Sequence, residues 1–191
     1  MSMILNKWFN KYTFITVPGL GGSGSKHWHS FWERQYPKMV RVEQAYWDNP
    51  EKTTWVKNFV DVLNAHTEKP IVLIGHSLGC GTIIHALNEN KFKNLAAIFL
   101  VALPDIDRED FPEVCVGFSP MPTIHLPVHG ALVASEDDRY CSMKKSLELA
   151  MSLRCPLLNV GNKDHIGTEA ELNFWPEGQM LLDEFLTAIN E

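Results

Sequence analysis

The sequence predicts an α/β protein, a three-layer α/β/α sandwich on a mostly parallel sheet of about six strands. Three observations predict it. Short, nearly unbroken apolar runs recur along the chain, as expected of strands covered on both faces. Amphipathic helical patterns lie between them, and strand–helix alternation implies crossovers of one hand. At 191 residues, 45% of them hydrophobic and 21% charged, the chain suits one domain spanning 1–191 with a sizeable core.

The β-rich runs are Tyr12–Val17, Ile71–Gly75, Leu95–Leu103 and Ala131–Ser135, each ended by a turn signal. Leu157–Val160, closed by Gly161, is a fifth, and Val40–Val42 a weaker sixth. Helical spacing predicts helices over His27–Gln35, Trp55–Ala65, Gly79–Asn90, Lys144–Leu153 and Gln179–Ile189. Asp105–Pro127, with four prolines, is the one long irregular segment, and such a loop in a compact domain is often a binding element. There is no linker, low-complexity stretch or internal repeat.

Charge and cysteine usage narrow the functional classes. Seventeen Lys and Arg against 23 Asp and Glu give a net charge of -6 with no basic cluster, which argues against nucleic acid as a partner. No apolar run reaches the roughly 20 residues of a membrane span, and no signal-like apolar region follows Lys7 and Lys11. The four cysteines, Cys80, Cys115, Cys141 and Cys155, are scattered without a C-x-x-C pair. They are expected to be reduced thiols, with Cys80 a packing residue, in a cytoplasmic protein.

The most informative residues are Gly75-His76-Ser77-Leu78-Gly79, between an apolar strand and a helix. G-x-S-x-G at such a junction sets the serine on a sharp turn, with glycines two positions either side where a Cβ would clash. Ser77 then stands at a helix N-terminus, where unpaired N–H groups favour developing negative charge. A serine hydroxyl needs a base within hydrogen-bond reach to act as a nucleophile. With the order serine, acid, histidine, only His85, His125, His129 and His165 qualify among eight histidines. His85 lies well inside a helix, and His125 and His129 sit at the wrong end of a strand. His165 follows the strand Leu157–Val160 and is the base the positions favour. The acid is sought after Ala131–Ser135, in Glu136-Asp137-Asp138; Asp105 and Asp107 are outside candidates, Asp164 reads as a loop solvator, and spacing does not choose between Asp137 and Asp138. Its task is to hold the imidazole tautomer.

An oxyanion hole is expected from the N–H of Leu78 and one N–H of the loop Pro18-Gly19-Leu20-Gly21-Gly22, with Leu20 first and Gly21 next. That loop is no phosphate cradle, since neither G-x-G-x-x-G nor a P-loop lysine is correctly placed. His27-x-His29 reads as two solvent or pocket histidines rather than metal ligands, because i and i+2 on a helix face different sides. No metal or cofactor is required. Trp8, Phe9, Trp28, Trp32, Trp47 and Trp55 are core residues by default.

The sequence resembles the alpha/beta-hydrolase superfamily, and within it the small serine hydrolases typified by retinoblastoma-binding protein 9 and its bacterial relatives. The resemblance covers nearly the whole chain. It rests on Val17 to Gly22, Ser25-Lys26-His27-Trp28, Trp32-Glu33, Arg41-Val42-Glu43-Gln44 with Trp47, Gly75 to Gly79, Asp138 to Ser142, Gly161 to Ile166, and Trp175-Pro176-Glu177-Gly178. It implies a minimal hydrolase fold without a large cap domain, with Asp138 as the acid and His165 as the base. It also puts the segments of Trp28 and Trp175 near the loops that surround a substrate pocket. Arg139 stands where the family usually has proline, which loosens the acid loop, and Thr168-Glu169-Ala170 departs from the usual stretch after the histidine.

The function expected is that of a serine hydrolase acting through an acyl-enzyme, an esterase for small acyl groups by family analogy. The same residues serve thioester or carbon–carbon bond hydrolysis equally well. The alternative from another class is a binding or regulatory module on a hydrolase scaffold with little turnover. The presence of Ser77, a following acid and His165 argues against it.

Overall fold

The computed structural model describes residues 3–191; Met1 and Ser2, part of the N-terminal stretch read above for a signal, lie outside it. Six strands form one sheet: β1 (Thr13–Val17), β2 (Val40–Arg41), β3 (Ile71–His76), β4 (Leu95–Val101), β5 (His129–Ala134) and β6 (Leu157–Asn159). Every pairing is parallel, in the spatial order β2-β1-β3-β4-β5-β6. Among the described residues five helices follow strands, with none between β4 and β5: α1 (Trp28–Gln35), α2 (Lys52–Ala65), α3 (Leu78–Glu89), α4 (Met143–Leu153) and α5 (Pro176–Ala188).

Alternation along each strand builds two apolar layers. Phe14, Val72, Ile74 and Phe99 join Trp28, Trp32, Leu182 and Leu186 of α1 and α5 on one face. Ile15, Leu73, Ile98 and Leu100 join Phe59, Ile83, Ile84 and Leu153 of α2, α3 and α4 on the other. All six residues of β3 are buried, which is why the strand reads as an unbroken apolar run. Each such buried side chain contributes about 1.5–3 kcal/mol relative to exposure.

Three of the boundaries that depart from the periodicity do so for local reasons. α2 begins three residues before Trp55 because Glu51 caps it, its carboxylate accepting from the N–H groups of Thr53 and Thr54 at 3.0 and 2.8 Å. α5 begins at Pro176 rather than Gln179, proline being preset for the first helical position. β4 stops at Val101 because Ala102 takes a positive φ of 51°. A 3-10 turn over Ile4–Trp8 carries no periodic signal; it docks on α5, with Trp8 Nε1 donating to Asp183 at 2.7 Å.

Strand order reverses between β1 and β3, and ligand crevices of open α/β sheets form outside the carboxyl ends of strands at such a point. The loops after β1 and β3 therefore part at one place, and the loops after β5 and β6 reach it from the side. No helix among the described residues is long and apolar enough to cross a membrane.

Candidate active site

Ser77 ends the passage from β3 to α3 in a strained conformation, φ 53° and ψ −127°. Its backbone N–H is tied to the Val101 carbonyl at 3.0 Å. The turn can be this sharp because the residues two positions either side, Gly75 and Gly79, have no side chains. A Cβ on Gly79 would overlap the Val17 carbonyl oxygen and lie 2.7 Å from that of Pro18, while one on Gly75 would meet Ile83 Cδ1 at 2.8 Å. Gly19, in the loop after β1, approaches from the other side: a Cβ there would lie 2.7 Å from Ser77 Cβ and 3.0 Å from the Leu78 nitrogen. The glycine loop is thus packed directly on the serine turn.

His165 Nε2 lies 2.7 Å from Ser77 Oγ, and its Nδ1 lies 2.8 Å from Asp138 Oδ2. A carboxylate only accepts, so Nδ1 carries the proton and Nε2 offers its lone pair to the serine hydroxyl. The side chain of Asp138 is 3% exposed, and its second oxygen accepts from the Tyr140 N–H at 2.8 Å. Asp137 is turned elsewhere: its Oδ1 accepts from Ser135 Oγ and from the Asp164 N–H, both at 2.8 Å. The Ser135 hydroxyl, assisted by backbone N–H groups, holds the Asp137 carboxyl below the usual range. Of the two aspartates left open by spacing, the geometry brings Asp138 to the imidazole.

Arg139 does not leave the acid loop slack. Its guanidinium reaches Asp164 at 3.0 Å, bridging the loops after β5 and β6, and its carbonyl accepts from Arg108 at 2.6 Å. The remaining acids are engaged away from the imidazole, Asp105 with Lys145 at 3.3 Å and Asp107 with Ser119 and the Met121 N–H. Asp164, read as a loop solvator, instead pairs with Arg139. His85 Nε2 meets the Phe118 carbonyl at 2.6 Å, His125 meets the Ser152 carbonyl, and His129 opens β5 at its exposed amino end.

An open cleft of about 650 Å³ lies over Ser77. Leu20, Leu78 and Pro104, with Phe111, Pro112 and Cys115 of the long irregular segment, form its apolar part. His27, His76, Ser23, Thr168 and Glu169 form the polar part. The Gly21 N–H is bonded to the Trp47 carbonyl at 3.1 Å and that of Gly22 to Gly19, whereas the N–H groups of Leu20 and Leu78 have no acceptor among the described residues. Burial raises the Cys115 thiol to about 11, so the sulfur at the wall is an apolar surface rather than a thiolate.

Two expectations are corrected. Trp28 and Trp175 are not pocket walls: they are 1% and 2% exposed and pack edge-on against each other in the core, centroids 4.9 Å apart, because α1 and α5 turn these faces toward the sheet. Of the two histidines read as solvent or pocket residues, His27 lines the cleft, whereas His29 does neither. His27 is the N-cap of α1, its Nδ1 accepting from the His29 N–H at 3.1 Å, and His29 is fully buried. Burial holds both imidazoles neutral, His27 down to about 3. Sequence reasoning passed over His76, although the residue stands inside the serine motif. No group of three or more His, Cys, Asp or Glu side chains among the described residues is arranged to hold a metal ion.

A family model described as serine hydrolase matches residues 14–184. Among solved structures, a YdeN-like hydrolase from Pectobacterium atrosepticum is 28% identical, with 98% of this chain and 97% of that chain covered and a TM-score of 0.86. The ydeN gene product of B. subtilis is 19% identical over 93% of this chain and 99% of that one, TM-score 0.77. An esterase domain from a Rhodothermus marinus protein shares the fold at 13% identity over 90% and 84%, TM-score 0.60. A search of curated proteins found no match.

Proposed function

This chain belongs to the serine hydrolase family, and we propose that within it the chain is a carboxylesterase for small acyl esters, working through an acyl-enzyme on Ser77. The observation that carries the reading is one imidazole bonded at both nitrogens, to Ser77 Oγ at 2.7 Å and Asp138 Oδ2 at 2.8 Å. His165 takes the serine proton as Oγ attacks the carbonyl carbon, and Asp138 stabilises the imidazolium that forms. The carbonyl oxygen becomes an oxyanion received by the N–H groups of Leu78 and Leu20, each worth roughly 3 kcal/mol in comparable sites. His165 then gives its proton to the leaving alkoxide. Water, deprotonated by the same nitrogen, releases the acid and restores Ser77. The apolar wall of Leu20, Leu78 and Phe111 suits an acyl group, and the open cleft favours a short one.

Two measurements test this. A fluorophosphonate probe is expected to label Ser77, and Ser77→Ala is expected to cut hydrolysis of a short-chain aryl ester by about 10⁴-fold or more. An adduct on another residue, or wild-type turnover in the alanine variant, overturns the assignment. Absence of any adduct favours a binding module. Turnover is also expected to fall on acidification, because an imidazolium cannot accept the serine proton, and a pH–rate profile checks it.

A further inference from the structure

His165 is held in a loop that does not favour its own conformation. The residues on either side, Asp164 and Ile166, both have positive φ, 47° and 50°, although neither is glycine, and Ile166 is β-branched. Such a backbone persists only where surrounding contacts over-determine it. Two ring N–H groups from the core supply contacts on consecutive carbonyls. His76 Nε2 lies 3.0 Å from the carbonyl oxygen of His165, and Trp28 Nε1 lies 2.8 Å from that of Ile166. A carbonyl only accepts, so His76 is the donor and its neutral ring carries the proton on Nε2.

Both donors are themselves immobile. His76 is the last residue of β3, in register with Val101 and immediately before Ser77, and it is 5% exposed. Its ring packs edge-on against His27, centroids 4.5 Å apart, with Trp28 and His29 behind it at 6.0 Å. Trp28 is wedged between Trp32 and Trp175. Burial first, then the neighbouring His27 and His165, keep His76 uncharged, so no positive charge accompanies the bond.

We infer that His76 and Trp28 form a clamp of two ring donors on the backbone of the base loop, positioning His165 against Ser77. The inference rests on the proposed roles of Ser77 and His165. It makes the histidine of the serine motif a positioning residue: through one side chain, the strand that carries the nucleophile also sets the height of the base. Trp28 does the same from α1, which gives this buried indole a task at the site that it does not line.

The test compares His76→Gln, whose amide nitrogen reaches the place of Nε2, with His76→Asn, whose amide stops short of it, and adds Trp28→Phe. All three are assayed on the short-chain aryl ester, with thermal unfolding as a control for folding. A misplacement of about 1 Å costs up to about a hundredfold in rate. His76→Asn is therefore expected to lower kcat ten- to a hundredfold with KM within about twofold. His76→Gln is expected to regain most of that loss. Trp28→Phe, which keeps a ring in the core, should repeat the kcat loss in milder form. Equal kcat in the Asn and Gln variants, or a loss confined to KM, overturns the clamp. Absence of ester turnover and of probe labelling in the wild-type protein would instead strike the hydrolase reading.

Discussion

The Ser77 side of the cleft is backbone packed on backbone, whereas the Asp138 and His165 side is side chains bonded across loops. At Gly79 and Gly19 there is no room for one added carbon against Val17, Pro18 or Ser77. Across the cleft, the loops after β5 and β6 are joined by Ser135, Asp137, Arg139 and Asp164, whose contacts are largely exposed. The contrast teaches where each kind of error is tolerated. Steric packing fails all at once because a carbonyl cannot step aside, while a hydrogen-bonded loop loses one bond and keeps the rest.

The sharpest way to break the comparison is Gly79→Ala. Its methyl overlaps the Val17 carbonyl, so a loss of about 3 kcal/mol or more in folding stability is expected, read by urea unfolding. A stable, active alanine variant would show that the serine turn is as pliant as the loops opposite. Next comes Asp138→Asn, which leaves packing nearly intact but favours the wrong imidazole tautomer. A drop in kcat of about 10³- to 10⁴-fold is expected with little change in thermal midpoint. A larger loss in Asp137→Asn would reverse the assignment of the acid.

The buried histidines lie where the two halves meet, and they give the comparison a pH axis. His27, His29 and His76 are neutral in the fold, with pKa values lowered chiefly by burial, His27 to about 3. The unfolded chain binds protons near pH 6.5, so the stability these groups contribute is full above that value and is lost as pH falls below it, for His27 down toward about 3. For His27 the loss is on the order of 2 kcal/mol by pH 5. His29→Leu removes a ring with both nitrogens buried and unbonded among the described residues, and should flatten the fall measured by urea unfolding at pH 7 and pH 5. An unchanged slope would mean that the cluster is hydrated in solution. The smallest effects belong to the loop bridges. Asp137→Asn should cost less than about tenfold in kcat, and Arg139→Ala, which breaks an exposed pair with Asp164, should leave both kcat and thermal midpoint close to wild type.

Much of this architecture was legible because parallel strands covered on both faces leave apolar runs, and Ile71 to Ile74 could hardly be anything else before a G-x-S-x-G turn. His165 was legible for a topological reason, as the one histidine after Ser77 that follows a strand's carboxyl end. Asp137 and Asp138 were not separable because adjacent loop residues have no periodicity, and hydrogen bonds to Ser135 and Asp164 decide which carboxylate turns inward. Trp28 and Trp175 misled as pocket candidates because the resemblance places their segments near the cleft, and the position of a segment does not say whether a side chain faces the cleft or the core; the default reading of Trp28 as a core residue holds. The strain at Asp164 and Ile166 left no mark in composition at all, since neither residue is glycine.

One feature of the far end of the molecule matters for handling it. Before β1, Tyr12 Oη donates to Asn190 at 2.8 Å, just past α5, while Lys7 and Trp8 grip Asp183. These contacts gather the first and last described segments at the amino ends of the strands, opposite the cleft. A protein tethered to a solid support by either segment would present its cleft to the surrounding solution.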